Sequence, residues 1–113
     1  MTYFELVTEA RRTFDRADAA GITEHVAIQF NATGNAQGAF YLEIADGQIH
    51  VEPYDYHDHD AIVTGSAEAI LDFLGRKENL ANLIREDRLS VEGYLDKVER
   101  ILAINMPEQD RSL

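Results

Sequence analysis

Residues 60–104 constrain the fold most strongly, because short elements follow one another there and each has a marked beginning or end. The first of them, residues 60–64, is a run of β-branched and small residues led by an aspartate, which predicts a strand. Ser66 is a suitable helix N-cap with Glu68 in the first turn, and Gly75 suits the position just past a helix C-terminus. The pattern therefore predicts a strand and a helix in immediate succession.

Two further helical segments and one more strand are predicted downstream from the spacing of their apolar residues. Residues 79–84 have the apolar spacing of a short helix, and the alternation of Leu89 and Val91 predicts a fifth strand. Apolar residues at helical spacing then predict a closing helix that ends near Pro107. The apolar residues of that last helix are Leu95, Val98, Ile101 and Leu102.

Upstream, Thr2 and Glu5 form the T-x-x-E pattern of a capping box, which predicts the start of a first helix. Apolar residues at helical spacing follow it, and Gly21 is a natural stop, so this helix is predicted to run to about Ala19. Over residues 26–30 the apolar period changes to two, which predicts a half-buried strand.

The dipeptide Asp46-Gly47 is the strongest hairpin signal in the chain. Alternating apolar residues precede it at 40–44 and follow it at 49–51, until Pro53 ends regular pairing. The second and third strands are therefore predicted to form a tight antiparallel hairpin.

Taken along the chain, the predicted order is one helix, four strands, two helices, one strand and a final helix. Each strand has a single apolar face, which requires helices on one side of a mostly antiparallel sheet. The fold class is therefore α+β, with five strands and helices packed on one face. With 113 residues and no linker or repeat, the chain is predicted to be a single domain over residues 1–113.

Charge and composition exclude several classes of function. The formal net charge is −11, from 21 acidic and 10 basic residues, so the average field repels phosphate backbones and anionic bilayers. Nucleic-acid binding is not expected. The chain has no cysteine, which excludes disulfides and thiolate chemistry. No apolar run approaches the roughly 18 residues that span a bilayer, so stable membrane insertion is not expected. A basic segment followed by an apolar one is also missing at Met1, so export is not expected and the predicted location is cytoplasmic.

The one polar constellation lies in residues 54–60. His57 and His59 project to the same side of an extended chain, as two ligands of Zn²⁺ or Ni²⁺ would. A closed structural site needs about four ligands, however, and His25 and His50 fall on outward strand positions. A solvated loop is the favoured interpretation, and neither a metal nor another cofactor is predicted.

Catalysis finds equally little support. The predicted inner face carries no titratable residue, and the chain contains no Gly-rich phosphate loop, G-x-S-x-G elbow or paired carboxylates on an apolar face. Small α+β enzymes of the nuclear-transport-factor-like or hot-dog kind have a similar size, but their helix order is not that of this sequence. The protein is predicted not to be an enzyme and to have no catalytic residues.

The ordered boundaries of residues 60–104 resemble the second half of the sterol carrier protein 2 family. The shared features are an Asp-led strand, a Ser-Ala-Glu helix start, a helix that ends at Gly, a short helix and a Leu-x-Val-x-Gly strand. In this chain they are Asp60, Ser66-Ala67-Glu68, Gly75, residues 79–84 and Leu89-Ser90-Val91-Glu92-Gly93. The chain departs from the family pattern at Asp87, where Gly is usual in the turn, and at Tyr94, where a small polar residue is usual. Asp tolerates a left-handed backbone better than most residues, so the turn at Asp87 is expected to form.

The resemblance implies an α+β lipid-binding domain with a hydrophobic cavity between the sheet and the helices that follow the fourth strand. The residues that map to the wall of such a cavity are Phe40, Leu42, Val63, Ile70, Leu74, Leu80, Leu83, Ile84, Leu89, Val91, Ile101 and Leu102. An ordinary packed core is the alternative, since apolar periodicity is the same for both. The short helix over residues 79–84 is marginal without packing, and we expect it to be the movable gate.

The function implied by the resemblance is non-catalytic intracellular binding or transfer of an apolar lipid ligand, such as a fatty acyl chain or a sterol. The alternative is an accessory or scaffold protein of a lipid-biosynthetic complex, acting as a homodimer or with a partner enzyme of lipid metabolism. Four tyrosines expected on the surface are candidates for such a contact. They are Tyr3, Tyr41, Tyr54 and Tyr56.

Overall fold

The computed structural model describes residues 1–106, which form one five-stranded mixed sheet and four α-helices. The strands are β1 (Val26–Thr33), β2 (Gly38–Ala45), β3 (Gln48–Glu52), β4 (Ala61–Ser66) and β5 (Leu89–Gly93). The helices are α1 (Tyr3–Thr13), α2 (Ala67–Leu74), α3 (Leu80–Arg85) and α4 (Leu95–Glu99). Short 3-10 helices follow β1 at Gly34–Ala36 and α4 at Arg100–Ala103. The predicted order of strands and α-helices is confirmed.

The spatial order of the strands is β3-β2-β1-β4-β5. The central neighbours β1 and β4 run parallel, and the other three neighbouring pairs are antiparallel. Phe30 of β1 lies beside Phe40 of β2 on one side and Val63 of β4 on the other. This register places the alternating apolar residues on one face of the sheet, which the helices cover. The predicted α+β class and mostly antiparallel sheet are confirmed.

A single apolar core fills the space between that face and the helices. The rings of Phe30 and Phe40 stack with their centroids 5.1 Å apart, and Phe73 of α2 is also fully buried. Val98 of α4 and Ile101 of the second 3-10 helix belong to the same cluster. No polar or charged residue within residues 1–106 falls in the buried class, so hydrophobic burial dominates the stability of this layer.

The hairpin between β2 and β3 has the predicted turn. Asp46 and Gly47 both adopt left-handed backbone conformations, with φ of 53° and 76°. A two-residue turn with two positive φ angles matches the twist of the flanking strands, which explains why Asp-Gly occupies it.

The predicted extent of the first helix is wrong. The capping box at Thr2 and Glu5 is present, but α1 ends at Thr13 instead of continuing to Ala19. Beyond it, Asp18 exchanges two backbone hydrogen bonds of 2.8 Å with Asn105. This bridge to a residue that is distant in the sequence holds the chain around Asp18 in a non-helical conformation. Apolar spacing near the N-terminus does not reveal such a contact.

The ends of the later helices also differ in detail from the prediction. Ser66 caps α2 as expected, and its hydroxyl accepts a 3.1 Å bond from the N–H of Ala69. Gly75, however, has a φ of −84°, and the left-handed residue after α2 is Arg76 with a φ of 58°. The closing helix is α-helical only to Glu99 and continues as a 3-10 helix; its predicted end near Pro107 lies outside the described residues.

Candidate functional site

The structure brings most of the predicted lining residues together in the core between the sheet and α2, α3 and the second 3-10 helix. Nine of the twelve are buried: Phe40, Leu42, Val63, Ile70, Leu74, Leu80, Leu83, Leu89 and Ile101. Val91 is half-buried against the same cluster. Ile84 and Leu102 instead lie at the surface, with 37% and 42% of their area exposed. That these residues line a ligand cavity stays a prediction.

A groove of about 540 Å³ opens to solvent beside this core. One wall is the turn between α2 and α3 with the first turn of α3, and the other is the end of α4 with the second 3-10 helix. Its lining residues are Arg76, Lys77, Glu78, Asn79, Leu80, Ala81, Glu99 and Leu102. Leu80 lines the groove and also belongs to the buried core cluster. The first turn of α3 therefore separates the groove from the apolar interior.

Helix α3 is held to the domain by few contacts. It has six residues, of which Leu80 and Leu83 are buried. Its N-terminus is capped by Asn79, whose side-chain oxygen accepts a 2.9 Å bond from the N–H of Asn82. A helix of this length is marginal without tertiary packing, so these two leucines supply most of what keeps it in place.

The turn after α3 shows how the chain accommodates its departure from the family pattern at Asp87. This residue is left-handed, with a φ of 61°, as expected for a position where Gly is usual. The N–H groups of Asp87 and Arg88 bond to the carbonyls of Ile84 and Leu83 at 3.0 and 2.8 Å. These two bonds define a Schellman motif, which satisfies the last carbonyls of α3.

The turn before α3 has the same construction around Arg76. The N–H groups of Arg76 and Lys77 bond to the carbonyls of Phe73 and Asp72 at 3.1 and 2.9 Å. In addition, the Arg76 guanidinium donates to the carbonyl of Ile104 at 2.7 Å and to that of Ile101 at 3.3 Å. The side chain thus ties the α2–α3 turn to the second 3-10 helix, across the groove.

A second groove, of about 350 Å³, lies at the carboxyl ends of β1 and β4. It is lined mainly by polar residues: Thr33, Thr64, Gly65, Ser66, Asp87, Arg88, Leu89 and Ser90. Of the predicted lining residues only Leu89 reaches it.

Sequence reasoning missed a polar cluster on the solvent face of the sheet. The carboxylate of Glu43 lies 2.6 Å from Nε2 of His25 and accepts a 2.9 Å bond from the hydroxyl of Tyr56. The bond to Glu43, with a smaller effect of burial, raises the pKa of Tyr56 to about 12. Although burial opposes it, hydrogen bonding from His25 and Tyr56 lowers the pKa of Glu43. The outward position of Glu43 on β2 was the only sequence signal, because its partners are 18 and 13 residues away.

This cluster pins the loop between β3 and β4 onto the sheet. The N–H of Tyr56 also donates to the side chain of Gln29 at 2.9 Å, and the ring of Tyr56 packs edge-on against Tyr41 at 4.9 Å. His57 is exposed in this loop and His59 is half-buried. Over residues 1–106, no three His, Asp or Glu side chains are grouped as metal ligands would be.

The four tyrosines predicted to form a surface contact do not share one exposed surface. Tyr54 is 63% exposed, but Tyr41 and Tyr56 are half-buried against each other. Tyr3 is also half-buried, and its hydroxyl donates to the carbonyl of Ala39. For Tyr41 and Tyr56 the reason is that the β3–β4 loop partly covers the solvent face of the sheet, which sequence alternation does not predict.

The fold and the apolar layer beside the groove define a class of small α+β domains in which helices cover one face of a mixed sheet. The model of the SCP-2 sterol transfer family matches residues 8–103. The chain therefore belongs to this family, whose members bind or transfer sterols and other lipids and are typically non-catalytic. Among curated proteins, no sequence is similar enough to count as a match.

Solved structures share the fold at low sequence identity. The UbiJ-SCP2 ubiquinone synthesis protein has a TM-score of 0.68 and 19% identity, with 89% of this chain and 90% of that chain covered. Sterol carrier protein 2 like 2 from Aedes aegypti has a TM-score of 0.63 and 16% identity, with coverages of 89% and 94%. A double mutant of the sec-alkyl sulfatase PisA1 has a TM-score of 0.73 and 12% identity over 86% of this chain.

The match to the sulfatase spans only 16% of that enzyme's chain, whereas the two smaller proteins are matched over nearly their full lengths. At these identities the likeness concerns the fold. In the part of the chain that the structure describes, no helix is long and apolar enough to cross a membrane.

Proposed function

We propose that this protein binds an apolar lipid, such as a fatty acyl chain or a sterol, between the sheet and the layer formed by α2, α3 and the second 3-10 helix. It acts in the cytoplasm as a carrier and not as a catalyst. The observation that supports this most directly is the position of Leu80, which is 6% exposed and lies between the groove and the core. Only a six-residue helix with two buried leucines separates the groove from an interior of apolar side chains.

The energetics of hydrocarbon burial are compatible with this role. An acyl chain of about 16 carbons gains roughly 13 kcal/mol at ~0.8 kcal/mol per methylene, against an association cost of about 4–15 kcal/mol. Displacing Leu80 and Leu83 from the core costs less than their full exposure to water, because they then contact the ligand. We therefore expect moderate affinity and low selectivity among apolar ligands.

The chemistry of the lining agrees with binding without catalysis. The twelve predicted lining residues carry no titratable group, so none can donate or accept a proton at a bound ligand. Two charged residues of the groove, Lys77 and Glu99, are exposed at its rim. They are placed to contact the polar end of an amphiphile while its apolar part lies inside.

A second candidate is an accessory role in a lipid-biosynthetic complex, with a homodimer or a lipid enzyme as partner. The observation that favours it is the shared fold with the UbiJ-SCP2 ubiquinone synthesis protein over nearly the whole length of both chains. In this case the chain holds a lipid-tailed intermediate for an enzyme instead of moving it between membranes.

Lipid extraction tests whether the protein binds a lipid at all and, if it does, which of the two candidate functions the lipid favours. The purified full chain is extracted with organic solvent, the extract is analysed by mass spectrometry, and the stripped protein is titrated with a fluorescent fatty acid. The proposal predicts a co-purified lipid or saturable binding near one ligand per chain. A folded protein that yields no lipid and shows no saturable binding would refute the carrier function, and a single polyisoprenoid or other biosynthetic intermediate in the extract would favour the accessory role.

A further inference from the structure

We propose that α3 is a hinged flap over the lipid site and that Arg76 is the latch that holds its N-terminal end closed. This inference rests on the proposed function, because it assigns the route by which the ligand enters. Three observations carry it: a left-handed residue in the turn on each side of α3, an arginine bridge across the groove, and the weak anchoring of the helix itself.

The hinges are Arg76 and Asp87. Besides Asp46 of the hairpin, they are the only non-glycine residues with positive φ within residues 1–106, at 58° and 61°. A left-handed backbone costs a long side chain such as that of Arg76 more than it costs Asp87, and it persists only where surrounding contacts impose it. Two left-handed residues, one in the turn on each side of a short helix, are suited to absorb a rotation of that helix when the contacts are released.

The latch is the guanidinium of Arg76. It donates to the carbonyls of Ile104 and Ile101 at 2.7 and 3.3 Å, and these two isoleucines are themselves buried in the core. The carbonyl of Ile104 receives the shorter of these two bonds, whereas the carbonyl of Ile101 also accepts the N–H of Ile104 at 3.2 Å, so the charged donor is held mainly at Ile104. The bridge therefore joins the α2–α3 turn to the opposite wall of the groove.

The other end of α3 is anchored differently. Arg88 donates from Nη2 to the carboxylate of Asp72 at 2.8 Å, which ties the α3–β5 turn back to α2. This pair does not cross the groove, and the groove contacts only the first turn of α3, at Leu80 and Ala81. Opening thus occurs at the Arg76 end, and the Asp87 end acts as the pivot.

Hydrogen exchange of the ligand-free full chain tests the flap without reference to a lipid. We compare the wild type with Arg76→Lys, which keeps the charge but cannot bond both carbonyls in the same way, and with Arg76→Gly, which also removes the strain. Arg100→Ala is the control, because Arg100 lies in the same 3-10 helix but pairs with Glu24. The latch predicts exchange about tenfold faster at residues 80–86 and 101–105 in both Arg76 variants, with β1 and β2 unchanged and the control like the wild type.

Two results would overturn the inference at this stage. Exchange that rises evenly through the sheet would show that Arg76 supports only global stability. Unchanged exchange in α3 would show that the bridge does not hold the helix.

Stopped-flow binding of the fluorescent fatty acid then tests whether the flap is the entrance. Both association and release are expected to be about tenfold faster in Arg76→Lys, with the dissociation constant changed by no more than about twofold. Faster exchange with unchanged binding rates would contradict entry through α3. If the wild type binds no fatty acid at all, the proposed function fails, while the exchange data still decide whether the flap exists.

Discussion

Asp60 and Ala27 exchange two hydrogen bonds in opposite directions. The N–H of Ala27 donates to the carboxylate of Asp60 at 2.8 Å, and the N–H of Asp60 donates to the carbonyl of Ala27 at 2.7 Å. The pair joins the beginnings of the two parallel strands at the centre of the sheet, and Ala27 is fully buried. The aspartate that leads the fourth strand thus fixes how β4 lies against β1.

Asp60→Ala is expected to lower the free energy of unfolding by about 1–3 kcal/mol, because it leaves the buried N–H of Ala27 without a partner. Urea denaturation measures the change. Asp58→Ala is the matched control in the same loop, where the side chain is exposed, and it should change stability by less than about 0.5 kcal/mol. Equal effects of the two variants would contradict the role assigned to Asp60.

The bond from Tyr56 to Glu43 predicts a specific dependence of stability on alkaline pH. Since the pKa of Tyr56 is raised from 10.0 to about 12, its contribution is complete below pH 10 and is lost as the pH rises toward about 12. Tyr56→Phe should lower stability at neutral pH by about 0.5–1.5 kcal/mol and should lack this additional alkaline loss. Urea unfolding at several pH values checks both effects. If Tyr56 itself titrates near pH 10 in the folded wild type, the bond to Glu43 is ruled out.

The beginning of α4 lacks a side-chain cap. Tyr94 occupies the N-cap position, is 66% exposed and makes no capping hydrogen bond through its side chain. Tyr94→Ser should therefore stabilise the protein by about 0.5–1 kcal/mol, since serine accepts a bond from the first turn of a helix. Thermal unfolding measures this gain, and Tyr94→Ala is the control without a hydroxyl. A serine variant no more stable than the alanine variant would refute the capping argument.

Local signals predicted the order of the elements, because each is encoded within a few residues. The hairpin at Asp46-Gly47 and the helix start at Ser66 both depend on the chemistry of single turn residues, and both formed as expected. The early end of α1 did not follow from local signals, since it depends on the pairing of Asp18 with Asn105. The side-chain bonds of Arg76 were equally hidden from local signals, because they reach carbonyls 25 and 28 residues further along the chain.

The candidate site was predictable in part for the same reason. Apolar spacing correctly placed Leu80 and Leu83 toward the core. It also assigned Ile84 and Leu102 to the interior, although both are substantially exposed. In a short helical segment, residues next to the buried positions also fit the apolar spacing. Only one side of the segment is covered by the rest of the domain. Whether the space behind α3 receives a ligand or stays packed is a property of how α3 moves, which apolar spacing does not encode.

Leu83→Trp tests the central claim most directly. Leu83 lies on the buried face of α3, so the larger side chain should occupy the proposed ligand space and abolish saturable binding of a fluorescent fatty acid. If that space is real, the substitution costs no more than about 1–3 kcal/mol of stability, and the variant remains folded. Phe4→Trp is the matched control, because Phe4 is 76% exposed on α1, and it should bind like the wild type. Saturable binding that survives Leu83→Trp unchanged would contradict the account, as would a wild type that binds nothing while the variant simply unfolds.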